Sequence, residues 1–223
     1  SLVGIDPESE ALTYGIVDQT ATNGSYTVVG TYGTLVLNES TGAYTYTLDN
    51  SLEIVKALGA ESKETESFSV EVTDGTLTAV AQTLSFEILG ENGVPTLTVS
   101  TGENITEDVS PNTIIGQLNG VDPEGGALDY QVADKTVSDG NYTVTGDYGT
   151  LVLTAATGAY TYTVDNTKAS VQALGAGDTK TESFSVKVSD GFTVTDAQNL
   201  SLTVKGANDA PSVVALSASN VVE

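Results

Sequence analysis

The sequence predicts an all-β protein built from tandem β-sandwiches, and two observations lead to this prediction. The first is an internal repeat, because residues 30–50 return almost unchanged as residues 146–166. The second is the alternation of apolar and polar residues over short segments that are separated by turn-forming residues. A long repeat whose copies contain strand-sized apolar segments is typical of domain-sized units in series.

The repeated segment predicts a β-hairpin. Apolar residues occupy alternate positions of its two arms, residues 33–37 and 44–48. Gly42 and its copy Gly158 lie in the turn, where a hairpin loop of three to five residues needs a residue at positive φ. Cross-strand pairs of aromatic and aliphatic side chains are then expected to fix the register.

Further elements flank this hairpin in both copies. The spacing of apolar residues over 51–58 predicts one or two helical turns that end at a Gly59 cap. Seven or eight short strands in each repeat predict an immunoglobulin-like β-sandwich. In the first copy, alternation predicts strands within 12–16, 26–28, 67–73 and 84–88.

Alignment of the copies divides the chain into three parts. Residues 1–91 are a first repeat that lacks its opening strand, residues 92–207 are a complete repeat, and residues 208–223 begin a third. We therefore expect the sequence to belong to a longer chain in which neighbouring repeats are partners. Since the tail is an opening strand without its own sandwich, strand exchange between molecules is a further hypothesis.

The composition excludes several classes of function. Thirty acidic residues against seven basic ones give a net charge of −23, which disfavours nucleic acid and anionic lipid as partners. Cysteine and histidine are absent, which removes disulfides, thiolate or imidazole metal sites and histidine-dependent catalysis. Apolar runs are strand-sized, so we expect no membrane insertion. A folded acidic protein of this kind is expected to recruit cations.

Acidic loops recur at matched positions and are candidate calcium ligands. Asp122 and Glu124 precede one core strand, and Asp190 follows another. In an immunoglobulin-like sandwich both turns lie at one end, where a linker also enters, and calcium prefers several converging oxygens. The alternative, that these residues are turn formers with solvated carboxylates, stays open. The candidates at this end are Asp6, Glu8, Asp74, Glu91, Asn92, Asp122, Glu124 and Asp190.

The hairpin Gly-x-Tyr-Gly-Thr-Leu-x-Leu…Thr-Gly-Ala-Tyr-Thr-Tyr-Thr…Asp-Asn, followed by Thr-Glu-Ser-Phe-Ser-Val-x-Val-x-Asp-Gly, resembles the VCBS repeat of large bacterial surface proteins. The resemblance covers both copies nearly end to end. It implies cadherin-like sandwiches that serve as calcium-stiffened spacers in RTX-type adhesins. It also implies export by type I secretion, an extracellular location on the bacterial cell surface and a role in adhesion or biofilm formation.

The cadherin-like character of this family implies further ligands at the opposite end of each sandwich. Glu107 would match the first-strand glutamate of a cadherin repeat, and Asn208 and Asp209 would match its linker. With Asp178 or Glu182, Glu107 would then reach a calcium ion at the next junction.

The first linker departs from this pattern. The resemblance assigns Glu61 or Glu66 to the first junction, beside Glu91 and Asn92. Gly93, however, stands where the second linker has an aspartate, so the resemblance supports a full calcium junction less well here.

The sequence therefore predicts a structural extender rather than an enzyme. The alternative is a carbohydrate- or protein-binding β-sandwich, which would need an exposed aromatic patch; the tyrosines, however, share faces with leucines and are expected in the core. Paired carboxylates can also serve a glycosidase, but here they recur in both copies, as in a repeated scaffold.

Overall fold

The computed structural model describes residues 1–211 and 213, so most of the segment assigned to a third repeat lies outside the described residues. The chain forms two compact units. The first consists of Ser1–Gly93 with Pro123–Gly125, and the second of Val94–Asp122 with the residues from Gly126 onward. Nearly all regular structure is β, which confirms the predicted fold class. The repeat boundaries after residues 91 and 207 stay predictions.

The first unit is a sandwich of two three-stranded sheets. One sheet has the strand order β1-β5-β6 and the other β2-β3-β4. A single helical turn, α1, connects the two sheets. The elements are β1 (Thr13–Ile16), β2 (Ser25–Val29), β3 (Gly33–Asn38), β4 (Tyr44–Leu48), α1 (Glu53–Lys56), β5 (Lys63–Thr73) and β6 (Gln82–Leu89).

The second unit has the same order of elements and four additional strands at its start. These are β7 (Thr96–Thr98), β8 (Glu103–Thr106), β9 (Thr113–Gln117) and β10 (Asn119–Val121). The elements that copy the first unit are β11 (Asp129–Val132), β12 (Asn141–Thr145), β13 (Gly149–Thr154), β14 (Ala159–Val164), α2 (Ala169–Gln172), β15 (Thr179–Ser189) and β16 (Gln198–Lys205).

The additional strands widen both main sheets of the second unit. The sheets have the orders β11-β15-β16-β8 and β12-β13-β14-β9, while β7 and β10 form a separate two-stranded ribbon. Strand β8 runs parallel to β16, with Ile105 opposite Val204. As a result, Leu200 and Leu202 are fully buried, whereas their copies Leu84 and Phe86 in the first unit are only half-buried.

The predicted hairpin is confirmed in both units. Strands β3 and β4 pair antiparallel with Leu35 opposite Tyr46, and Leu151 faces Tyr162 in the second unit. Gly42 has a φ of 66° and Gly158 a φ of 73°. The turn therefore uses a positive φ, which glycine adopts without strain.

The predicted helical turns exist, but their predicted ends are wrong. Each helix is one turn long, and its C-cap is Ala57 in the first unit and Ala173 in the second. Both alanines have negative φ, so a glycine cap is not required. After the helical turn, the backbone at Gly59 packs closely against Gly90. A side chain at Gly90 would prevent this contact, because its Cβ would lie 2.1 Å from the Gly59 carbonyl oxygen.

Candidate functional site

A buried glutamate in each unit binds the turn before β3 or β13. In the second unit Glu182 is 9% exposed. It accepts hydrogen bonds from the Asp147 amide, from the Tyr148 amide at 3.2 Å and from the Tyr162 hydroxyl at 2.6 Å. Burial, and next this hydrogen bond to Glu182, raises the pKa of Tyr162 far above its usual range. The carboxylate thus joins the hairpin to the opposite sheet.

The glycine of the repeated motif makes room for this carboxylate. A Cβ on Gly146 would lie 1.9 Å from a carboxylate oxygen of Glu182, and one on Gly30 would lie 2.3 Å from Glu66. In the first unit, Glu66 accepts hydrogen bonds from the Thr31 amide and from the Tyr46 hydroxyl at 2.5 Å. The motif Gly-x-Tyr-Gly is therefore a carboxylate-binding turn.

The resemblance offers two alternative ligands at each junction, Glu61 or Glu66 at the first and Asp178 or Glu182 at the next. The carboxylates of Glu66 and Glu182 are buried and bind the hairpin tyrosines, so their oxygens already have partners within each unit. The remaining candidates for that role are Glu61 and Asp178, both exposed in loops before β5 and β15.

The end of the second unit where β8 and β16 finish contains a fully buried carboxylate. Glu107 is 0% exposed, and its Oε1 accepts a hydrogen bond from the Ala207 amide at 3.0 Å. Its Oε2 is buried and has no hydrogen-bond partner among the described residues. Such an oxygen is energetically costly unless a cation or water satisfies it.

Two further carboxylates at this end, those of Asp108 and Asp209, interact with each other. Desolvation, together with a hydrogen bond and repulsion from Asp209, raises the pKa of Asp108. Asp178 is held at the same end, because its backbone carbonyl accepts the Gly206 amide at 2.9 Å. Asn208 is exposed between Ala207 and Asp209. We call Glu107, Asp108, Asp178, Asn208 and Asp209 the acidic end.

The opposite end of each unit carries the other loop acids. In the first unit, Asp6 and Asp74 line one shallow cavity of about 200 Å³, which brings these two candidates together. Asp74 also stabilises its own turn, because its Oδ1 accepts the amides of Thr76 and Leu77 at 2.6 and 2.7 Å. These amides lower the pKa of Asp74. Glu8 is exposed and follows Asp6 by two residues in the sequence.

The matching acids of the second repeat also have turn-forming roles. Asp122 Oδ1 accepts the Gly126 amide at 3.0 Å, and Asp190 Oδ1 accepts the Thr193 amide at 2.6 Å. Each contact stabilises the loop that follows the aspartate.

The linker residues lie close to Glu124, which belongs to the first compact unit. Glu124 Oε1 accepts the Gly93 amide at 3.1 Å. Asn92 is half-buried and donates its side-chain amide to the Gly93 carbonyl at 2.8 Å, and Glu91 is exposed.

Within residues 1–211 and 213, no three acidic side chains stand close enough together to hold a metal ion as they are. The acidic end therefore offers oxygen donors that would have to move towards a common centre. Over the same residues, the structure contains no helix of the length and apolarity that crossing a membrane requires.

The aromatic residues do not form a surface patch. All ten tyrosines are buried or half-buried. Phe192 is 60% exposed and lies in the loop after β15. Its copy in the first unit is Thr76, so this exposed ring is not a repeated feature.

Comparison with known proteins identifies one family. The sequence model of the family described as "bacterial cadherin-like domain" matches residues 92–206, slightly more than half of the chain. No curated protein matches the sequence.

Several solved structures of tandem cadherin domains are similar in fold. Human CDH23 EC21-23 has a TM-score of 0.48 and 17% identity, over 89% of this chain and 59% of that one. Mouse cadherin-23 EC22-24 has a TM-score of 0.45 and 14% identity, over 91% and 56%. Mouse PcdhgC3 EC1-3 has a TM-score of 0.42 and 16% identity, over 87% and 55%. The chain spans less than two thirds of each.

Proposed function

The chain belongs to the family of bacterial cadherin-like domains, and from this premise we propose that it is an extender region of an extracellular bacterial adhesin. In this role its sandwiches carry no catalytic site. They act as spacers in series, and calcium bound at the ends of the repeats restricts the angle between neighbours. Adhesion or biofilm formation would then depend on a binding domain elsewhere in the protein.

One observation supports calcium binding above all others, and it is the environment of Glu107. This carboxylate is fully buried at the acidic end, and one of its oxygens has no hydrogen-bond partner in the part of the chain that the structure describes. A calcium ion satisfies such oxygens, because it takes six to eight oxygen ligands from carboxylates, carbonyls and waters. Since the chain contains neither cysteine nor histidine, its side chains offer calcium a fully oxygen-based donor set.

The electrostatics of the acidic end explain how a cation would act as a stiffener. Desolvation, followed by a hydrogen bond with Asp209 and repulsion from it, raises the pKa of Asp108, so without a cation the two carboxylates repel each other. Repulsion of this kind favours conformations in which the linker residues move apart. A bound calcium would offset the repulsion and hold Asn208 and Asp209 against Glu107.

The experiment is a calcium titration of the full chain by isothermal calorimetry, with the variant Glu107→Gln. We expect Glu107→Gln to weaken calcium binding by tenfold or more, because it removes a buried anionic ligand. The matched control is Glu103→Gln, an exposed residue of the same strand β8. Equal binding by wild type and both variants would contradict the proposal.

The structure favours this function over a carbohydrate-binding module. Sugar recognition by stacking needs exposed aromatic rings, and every tyrosine is at least half-buried.

A further inference from the structure

Asn166 has a buried side-chain oxygen that the proposed function does not use. The residue is half-buried in the loop between β14 and α2, and its Oδ1 has no hydrogen-bond partner among the described residues. An amide oxygen that loses contact with water and gains no partner costs free energy. The loop thus presents an oxygen ligand that lacks the donor or the cation it needs.

The strands around this loop place Asn166 at the acidic end. The Val164 amide donates to the Asn112 carbonyl at 3.0 Å, and the Asn112 side chain donates to the Val164 carbonyl at 3.0 Å. Asn112 ends the loop that Glu107 begins. Strand β14 therefore finishes where the segment after Glu107 returns to the sheet as β9.

The first unit shows which residues surround this position. Asn50, the copy of Asn166, lines a cavity of about 420 Å³ together with Glu91, among others. The copy of Glu91 is Ala207, whose amide donates to the Glu107 carboxylate at 3.0 Å. Since the two repeats have the same order of elements, the buried oxygens of Asn166 and Glu107 belong to one neighbourhood.

We propose that Asn166 Oδ1 is a ligand of the calcium ion that Glu107 binds. The inference rests on the proposed function and adds to it a neutral ligand from the loop after β14. Calcium binds the carbonyl oxygens of asparagine side chains as well as carboxylates. One cation would satisfy both buried oxygens, and its charge would also offset that of Glu107, which a water molecule cannot do.

The neutrality of this ligand determines how the site responds to a change of charge. Calcium affinity depends on the number of charged ligands. Asn166 supplies an oxygen without adding to the negative charge of the acidic end. A carboxylate in its place would increase repulsion when the cation is absent and increase attraction when it is present. These two effects have opposite signs, which a purely structural role of the amide would not produce.

The test compares Asn166→Asp and Asn166→Leu in the full chain by calcium calorimetry and by thermal melts in chelator. We expect Asn166→Asp to melt at a lower temperature in chelator and yet to bind calcium roughly fivefold more tightly. Asn166→Leu should bind calcium roughly tenfold less tightly. It should keep its stability in chelator, because it removes an unsatisfied oxygen.

The matched controls are Asn199→Asp and Asn199→Leu, at an exposed position of β16. Both should change the calcium affinity by less than about twofold, because a charge on this exposed face is screened by solvent. A spectroscopic readout then identifies the ligand directly. In the isotope-labelled chain, the side-chain amide resonances of Asn166, assigned by their loss in Asn166→Leu, should shift when calcium is added, and those of Asn199 should not.

Three results would overturn the inference. These are an unchanged calcium affinity of Asn166→Leu, weaker calcium binding by Asn166→Asp, and side-chain amide resonances of Asn166 that calcium does not shift. If Glu107→Gln weakens calcium binding and the Asn166 variants do not, the inference fails while the proposed function stands. If the wild-type chain binds no calcium, both fail.

Discussion

Replacing Glu182 by alanine should destabilise the second unit strongly. The carboxylate is 9% exposed and accepts three hydrogen bonds, one of them from a tyrosine hydroxyl with no solvent exposure. Its removal leaves the Tyr162 hydroxyl without an acceptor, which costs about 1–3 kcal/mol. The lost hydrogen bonds to the turn amides and the lost side-chain packing add about 2 kcal/mol.

The expected loss is therefore about 3–5 kcal/mol in the free energy of unfolding. Urea unfolding of the full chain, followed by tyrosine fluorescence and circular dichroism, measures this loss. Glu66→Ala is the matched variant in the first unit and should shift a different transition. Glu182→Gln keeps the shape and one acceptor oxygen, so it should cost about 1–2 kcal/mol.

A double-mutant cycle tests the reasoning. Tyr162→Phe alone removes the hydroxyl and should cost about 1–2 kcal/mol. In the Glu182→Ala background the hydroxyl is already unsatisfied, so its removal should cost little or even stabilise the unit. The two changes should fall short of additivity by about 1 kcal/mol or more. Additivity within about 0.3 kcal/mol would refute the proposed link between hairpin and sheet.

Three other outcomes follow from the structure. Asp108→Asn should weaken calcium binding and should raise the melting temperature in chelator at pH 7. The folded state raises the pKa of Asp108 and so disfavours its charged form, which the substitution removes. The thermal gain should therefore vanish below the ordinary pKa of 3.8, where the carboxyl is protonated in both states. Hydrogen bonds from Thr167 lower the pKa of Asp165, so Asp165→Asn should destabilise the fold at pH 6, with an effect that fades as the pH falls below 3.8 in thermal melts. Gly149→Ala should cost about 1–3 kcal/mol in urea unfolding, because its Cβ would lie 2.4 Å from a backbone oxygen, while Gly126→Ala, with its nearest neighbour at 3.6 Å, should be neutral.

Much of the fold could be predicted because period-2 patterns and turn glycines are local properties of the sequence. The hairpin, its register and its positive-φ turn follow directly from alternation and from Gly42. The helix ends could not be predicted from the glycine alone. The chain leaves the helical turn at Ala57, and Gly59 lies instead where the backbone packs against Gly90.

The candidate site was less predictable, because chemically similar acids differ in what surrounds them. Glu107 and Glu182 are both glutamates next to strands, yet one has a buried oxygen without a partner and the other binds a turn. Asp108 was missed by sequence reasoning, although its position next to Glu107 was a usable clue. Which acids face one another depends on pairing between strands that are about a hundred residues apart.

The proposal of a calcium-stiffened extender is tested most directly by small-angle X-ray scattering of the full chain in calcium and in chelator. The account predicts a longer maximum dimension with calcium at unchanged strand content by circular dichroism. An identical maximum dimension in calcium and in chelator would contradict the account.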